Sequence, residues 1–183
     1  MKRVITFILA LMMCVSLAAC KDETPETPQA AAPQFTEEIA KQLVEKNLDC
    51  YFIFYVSPLT CTQQQNSDGY FGTDTSYLEN YEALETLVKS TYTESRADIV
   101  LNYPSKENPL YKNVDGLIFE DPTAVEPVEY DILWDDYSVE ITQTSEDECS
   151  FTLKTTDMDS KEYTTTAQAV LENNEWKLAE VIY

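Results

Sequence analysis

The sequence predicts an α+β domain: N-terminal helices, one of them long, packed on a curved antiparallel meander sheet. Three observations point there. Apolar residues recur at helical spacing from Ile39 to Tyr55. Two shorter stretches with polar caps follow, ending at Pro104. From Leu110 onward the period becomes two, with short turns between runs rich in β-branched and aromatic residues. Helices first and strands afterwards is the order of an α+β fold, not of alternating βαβ units.

The chain opens with Lys2 and Arg3, then an apolar run from Val4 to Ala19 broken only by Thr6, Cys14 and Ser16. That layout, shorter than a membrane span, is a secretory signal over residues 1–19. Its end, Leu17-Ala18-Ala19-Cys20, resembles the lipobox of bacterial lipoproteins. The resemblance implies that Cys20 becomes the mature N-terminus, carries acyl chains such as palmitate, and holds the protein on the extracytoplasmic face of the cell membrane. More than one acyl chain is needed for stable anchoring. An ordinary signal peptide with an incidental cysteine is the alternative. Residues 20–34 then form the lipidated N-terminus and a linker. Pro, Thr, Glu and Ala dominate Lys21 to Gln34, with no large apolar residue to order it. Stretched out, this linker reaches roughly 40 Å.

Residues 35–183 form the domain. Thr36 is placed to cap the long helix, with Glu37 and Glu38 suiting its positive end. The helix becomes apolar all round over Tyr51 to Val56, which predicts burial on several sides, and Pro58 ends it at 56 or 57. Leu59 to Thr75 is polar, holds two of the three glycines, and reads as a loop with a short strand around Tyr70 and Phe71. Asn80 and Thr93 cap the second and third helices, whose inward faces are Tyr81, Leu84, Leu87 and Val88, then Ala97, Val100 and Leu101. Leu110 to Lys112, the turn Asn113 to Gly116 and Leu117 to Glu120 make a hairpin. Val128 to Trp134 reads as a strand or strand-like edge. Tyr137 to Thr144, Cys149 to Thr156, Glu162 to Glu172 and Glu175 to Tyr183 form the meander, turning at Ser145–Glu148, Asp157–Ser160 and Asn173-Asn174. Odd-numbered Tyr137, Val139, Ile141, Cys149, Phe151 and Leu153 are expected to face the core.

Composition excludes several functions. Without Lys2 and Arg3, ten basic side chains remain against 33 acidic ones, a balance of −23. Such a surface repels nucleic acid and anionic headgroups; most of its charges serve solubility outside the membrane, and it can attract a basic protein or cations. The absence of histidine removes the commonest general base and metal ligand together. Cys50, Cys61 and Cys149 remain in the domain, so at most one internal disulfide forms. Cys50 with Cys61 is the candidate pair, and buried free thiols are the alternative. No cysteine has a histidine to activate it, no cofactor motif occurs, and Asp157-Met158-Asp159 with Glu162 lacks the spacing of a calcium loop.

Two sets of residues stand out as binding candidates. Trp134-Asp135-Asp136-Tyr137 places two carboxylates beside two aromatics, the raw material of a carboxylate-based glycan hydrolase. Chance juxtaposition among 33 acids is the simpler account, and the hydrolase is the alternative. Tyr70, Phe71 and Tyr77 are aromatics in an otherwise polar segment, which suits a recognition surface. The remaining tyrosines, among them Tyr51, Tyr55, Tyr111 and Tyr130, suit half-buried positions with a wet hydroxyl.

The long helix followed by an antiparallel meander resembles the cystatin-like and nuclear-transport-factor-like cone. Tyr77 to Leu101, Leu110-Tyr111, Asp115-Gly116-Leu117 and the terminal Glu172-Asn173-Asn174-Glu175-Trp176-Lys177-Leu178 are similar to secreted Gram-positive lipoproteins, including the inhibitor family of cell-wall DL-endopeptidases. The resemblance spans about residues 36–183 through short, degenerate motifs. It implies a membrane-tethered binding protein rather than an enzyme, with a wall hydrolase or another envelope protein as partner. A small-ligand sensor, with open space between the long helix and the sheet, is the other alternative.

Overall fold

The computed structural model describes residues 33–183, so the signal, Cys20 and most of the linker lie outside the described residues. Helix α1 (Glu37–Tyr51) starts where expected: Thr36 is extended and its hydroxyl accepts the Ile39 amide at 3.3 Å. The helix does not stop at Tyr51. It widens into a π-helical turn, Phe52–Val56, before Pro58. Helix α2 (Tyr81–Thr91) is capped by Asn80, whose side-chain oxygen accepts from Ala83 at 2.9 Å. Helix α3 (Glu94–Leu101) begins after Thr93, whose side chain makes no capping bond.

The strands form two antiparallel sheets where one meander was expected. The first takes β1 (Cys61–Gln65), β2 (Phe71–Thr73), β3 (Tyr111–Val114) and β4 (Leu117–Glu120) in the order β1-β2-β4-β3. The hairpin at residues 110–120 therefore pairs with the polar segment rather than with the meander. The second sheet holds β5 (Ile132–Thr144), β6 (Glu148–Asp157), β7 (Glu162–Glu172) and β8 (Glu175–Leu178) in sequence order, and curls into a half-barrel. Asn173 and Asn174 both adopt positive φ, as a two-residue β7–β8 turn requires, and Asp115 and Gly116 do so between β3 and β4.

Strand boundaries differ from expectation in two places. Val128 to Asp131 is not strand; β5 starts at Ile132 and runs through the Trp134–Tyr137 segment. It does so by bulging: Leu133 pairs with Thr156 and Ser138 with Lys154, so five steps on β5 match two on β6. The Thr155 hydroxyl fills the bulge, donating to the carbonyls of Leu133 and Asp136. Strand β8 ends at Leu178, and the chain beyond turns inward, burying Val181 and Ile182.

The core joins α1, α2 and the inner face of the half-barrel through Leu43, Val44, Phe54, Leu84, Val88, Phe151, Leu153 and Leu178. Full burial of such side chains stabilises by about 1.5–3 kcal/mol each. Cys149, Phe151 and Leu153 face inward as expected. Along β5 the pattern fades: Val139 is half-buried and Ile141 is exposed, opposite Leu153 and Phe151. One polar side chain sits at the centre. Asn47 donates to the Ile182 carbonyl at 2.8 Å and accepts from the Ile182 amide and the Tyr92 hydroxyl, each at 2.9 Å. It fastens the C-terminal tail and the end of α2 to α1.

Candidate functional site

The expected site residues do not assemble into one place. Trp134 is a core residue, 6 % exposed, meeting the rings of Tyr137 and Tyr163 edge-on at 5.8 and 6.1 Å. Tyr137 is half-buried and reaches the Lys41 carbonyl at 3.4 Å. Asp135 and Asp136 are exposed and line an open hollow with Lys154 and Glu162, which neither aromatic lines. The bulge separates the two sets: it sends the carboxylates outward while the rings on either side stay in the protein.

The aromatics of the polar segment also separate. Tyr70 is buried and does not present the exposed ring expected of it. Its hydroxyl donates to the Pro109 carbonyl at 2.8 Å, and Lys112 lies 4.1 Å over its ring. Phe71 is a half-buried residue of β2. Tyr77 alone stays out, 54 % exposed. Tyr111 is buried too, donating to the Ile53 carbonyl at 2.6 Å and accepting from the Leu59 amide at 2.9 Å, so its hydroxyl is not wet.

Cys50 and Cys61 are not bridged. Cys50 is shut in the core against the Thr91 hydroxyl, and burial pushes its thiol up to about 12. Cys61 is on β1 beside Glu120, and burial and that carboxyl push its thiol up to about 11. Neither is a thiolate at neutral pH. Glu120 is 3 % exposed with Oε2 lacking any hydrogen-bond partner among the described residues. Burial, and then Asp121, raise its carboxyl to about 7, against a lowering contribution from the Cys61 thiol. Among the described residues no group of three or more potential metal ligands converges.

Two further concave surfaces are each lined by two or more carboxylates. The first is a groove of about 630 Å³ between α2, α3 and the β7–β8 turn, where Tyr81, Ala97 and Leu101 meet five carboxylates. Three of these are answered by lysine: Glu85 by Lys89 at 3.0 Å, Asp98 by Lys106 at 2.7 Å and Glu175 by Lys177 at 2.6 Å. Glu172 takes the Glu94 amide at the start of α3 at 2.9 Å.

The second is a cleft of about 410 Å³ where α1 runs into the π-helical turn. Leu48, Ile53, Pro58 and Leu59 contribute apolar lining, Phe52 (37 % exposed) and Tyr77 are its exposed aromatics, and Asp49 and Asp74 are its carboxylates. Asp49 accepts the Tyr77 hydroxyl at 2.8 Å, and Asp74 accepts the Ser76 amide at 2.7 Å. Those bonds from Ser76 hold the Asp74 carboxyl below its ordinary range, whereas burial and then Asp49 push the Tyr77 hydroxyl up. No lysine or arginine lines the cleft.

Of the residues lining the cleft, Tyr77 is a candidate from the sequence, and Asp49, Phe52 and Asp74 are not. A signal was present. Ala40, Leu43, Val44, Asn47, Cys50 and Phe54 make the buried stripe of α1 and its extension, and Asp49 and Phe52 fall outside it, one turn apart.

Compared with family models and with curated proteins, the chain matches none.

Proposed function

We propose that this protein is a membrane-tethered extracytoplasmic binding lipoprotein, anchored through Cys20, that docks on a basic face of a cell-envelope protein. A cell-wall hydrolase, inhibited or modulated by the contact, is the partner class that fits best. Its fold, in this reading, is a cystatin-like cone with α1 as its axis.

One observation carries the reading: the cleft lies at the far end of α1 from the tether. The chain enters the domain at Pro33, whose carbonyl accepts the Trp176 indole N–H at 2.8 Å, and Phe35 packs on Trp176 with ring centroids 5.0 Å apart. Helix α1 begins two residues later and its 15 residues span roughly 22 Å before Phe52. A domain held at one end thus presents aromatic and acidic side chains at the other. A tether also raises the local concentration of that surface near the membrane.

Isolation of the lipidated chain with its partners from detergent-solubilised membranes tests the proposal. A wall hydrolase should co-purify and lose activity on reconstitution with the chain. Unchanged activity across a panel of wall hydrolases would overturn the partner class.

A further inference from the structure

Resting on the docking reading above, we infer that the cleft beside the π-helical turn takes a single lysine or arginine side chain from a basic segment of the partner. Three features of the cleft match that chemistry. Phe52 and Tyr77 present exposed aromatic surface, which attracts a cation through the ring quadrupole and covers its methylene stem. Asp49 and Asp74 each commit one oxygen to a neutral donor and make no ion pair, so a charge entering the cleft finds carboxylates that no cation among the described residues occupies. The cleft is open to solvent, and its volume of about 410 Å³ leaves room for one long side chain to lie along it.

The π-helical turn explains how the site is built. A regular α-helix through residues 52–56 would hold each carbonyl four residues from its donor. Here the Ser57 amide bonds the Phe52 carbonyl at 2.8 Å, a five-residue span. The extra residue keeps Ile53 and Phe54 in the core while Phe52 stays outside beside Asp49. The charge of −23 that remains without the signal supplies long-range attraction for a basic partner, and the cleft gives that attraction a specific end point.

The test uses the full lipidated chain in non-ionic detergent. Its probes are a capped tri-lysine peptide and the same peptide with each lysine Nε-acetylated. Tri-lysine should bind, with affinity falling as salt rises, and the acetylated peptide should not. Asp49→Asn with Asp74→Asn should weaken binding by about tenfold, and Phe52→Ala by about threefold. Asp49 and Asp74 are exposed, whereas the Phe52 ring packs on Tyr130 at 4.7 Å, so the melting temperature of each variant is compared with that of the native chain. A charge-matched control in the groove, Glu85→Gln with Asp98→Asn, should leave binding unchanged. Equal loss in both double variants would overturn the inference, because net charge alone would then drive binding. Undiminished binding in Asp49→Asn with Asp74→Asn would overturn it directly. If that happens while the chain still co-purifies with an envelope protein, the cleft assignment falls and the docking reading stands. If the native chain takes tri-lysine through the cleft but retains no envelope protein, the docking reading falls and the cleft assignment stands.

Discussion

The groove between α2, α3 and the β7–β8 turn and the cleft beside the π-helical turn are both lined by carboxylates, yet they are different electrostatic objects. In the groove, Glu85, Asp98 and Glu175 each hold a lysine within 3.0 Å. In the cleft, Asp49 and Asp74 are met only by a hydroxyl and an amide. The 33 acidic residues are therefore not interchangeable. Where a lysine closes an ion pair, as at Glu85, Asp98 and Glu175, the charge is answered within the protein. Where the neighbours are neutral donors and aromatics, it faces outward and remains available.

The largest expected effect breaks both regions at once. Asn47 ties α1, which carries the cleft, to Tyr92, which lines the groove, and to the C-terminal tail. Asn47→Leu would strand the Ile182 amide and carbonyl in the core. Chemical denaturation should show a loss of about 3–4 kcal/mol, since each orphaned buried group costs about 1–3 kcal/mol.

Next is the contrast between a buried acid and the acids of the cleft. Glu120 is held protonated up to about pH 7 in the folded state, against an ordinary value of 4.5. The folded protein then binds a proton that the unfolded chain has released. Stability falls as pH rises between those two values and is level above them. Glu120→Gln removes that fall and should stabilise the protein by up to about 3 kcal/mol at pH 8, with little change at pH 4. Melting curves at both pH values check it. An equal effect at both would show that Glu120 is not titrating there.

A smaller effect converts the groove toward the cleft. Lys89→Met with Lys177→Met leaves Glu85 and Glu175 unanswered. Lys177 has a largely buried stem that methionine replaces in volume. Titration calorimetry with tri-lysine should then reveal a second site, several-fold weaker than the first. The smallest effect lies outside both regions. Glu37 and Lys41 form an exposed pair at 2.7 Å on α1, and Lys41→Ala should cost less than about 0.5 kcal/mol and leave peptide binding unchanged.

Much of the architecture was legible in the sequence because local chemistry set it. Thr36 and Asn80 cap helices, Asn173-Asn174 makes a two-residue turn, and Cys149, Phe151 and Leu153 alternate inward. The misses share a cause: they depend on pairing between distant segments. Strand β1 is Cys-Thr-Gln-Gln-Gln, almost wholly exposed, and nothing in it alternates, so only its ladder to β2 makes it a strand. Tyr70 read as exposed because its neighbours are polar, but its partners, Pro109 and Lys112, are about 40 residues away. The site was less legible than the fold. Tyr77 announced itself as an aromatic among polar residues. Asp49 and Asp74 did not, because in a chain this acidic a carboxylate becomes informative only when its neighbours fail to neutralise it.

Backbone amide shifts of the detergent-solubilised chain during titration with tri-lysine test the central claim most directly. The account predicts that shifts concentrate on Asp49, Phe52, Asp74, Ser76 and Tyr77, with Glu94, Glu172 and Asn173 unmoved. Shifts centred on the groove, or spread evenly over the acidic surface, would contradict it.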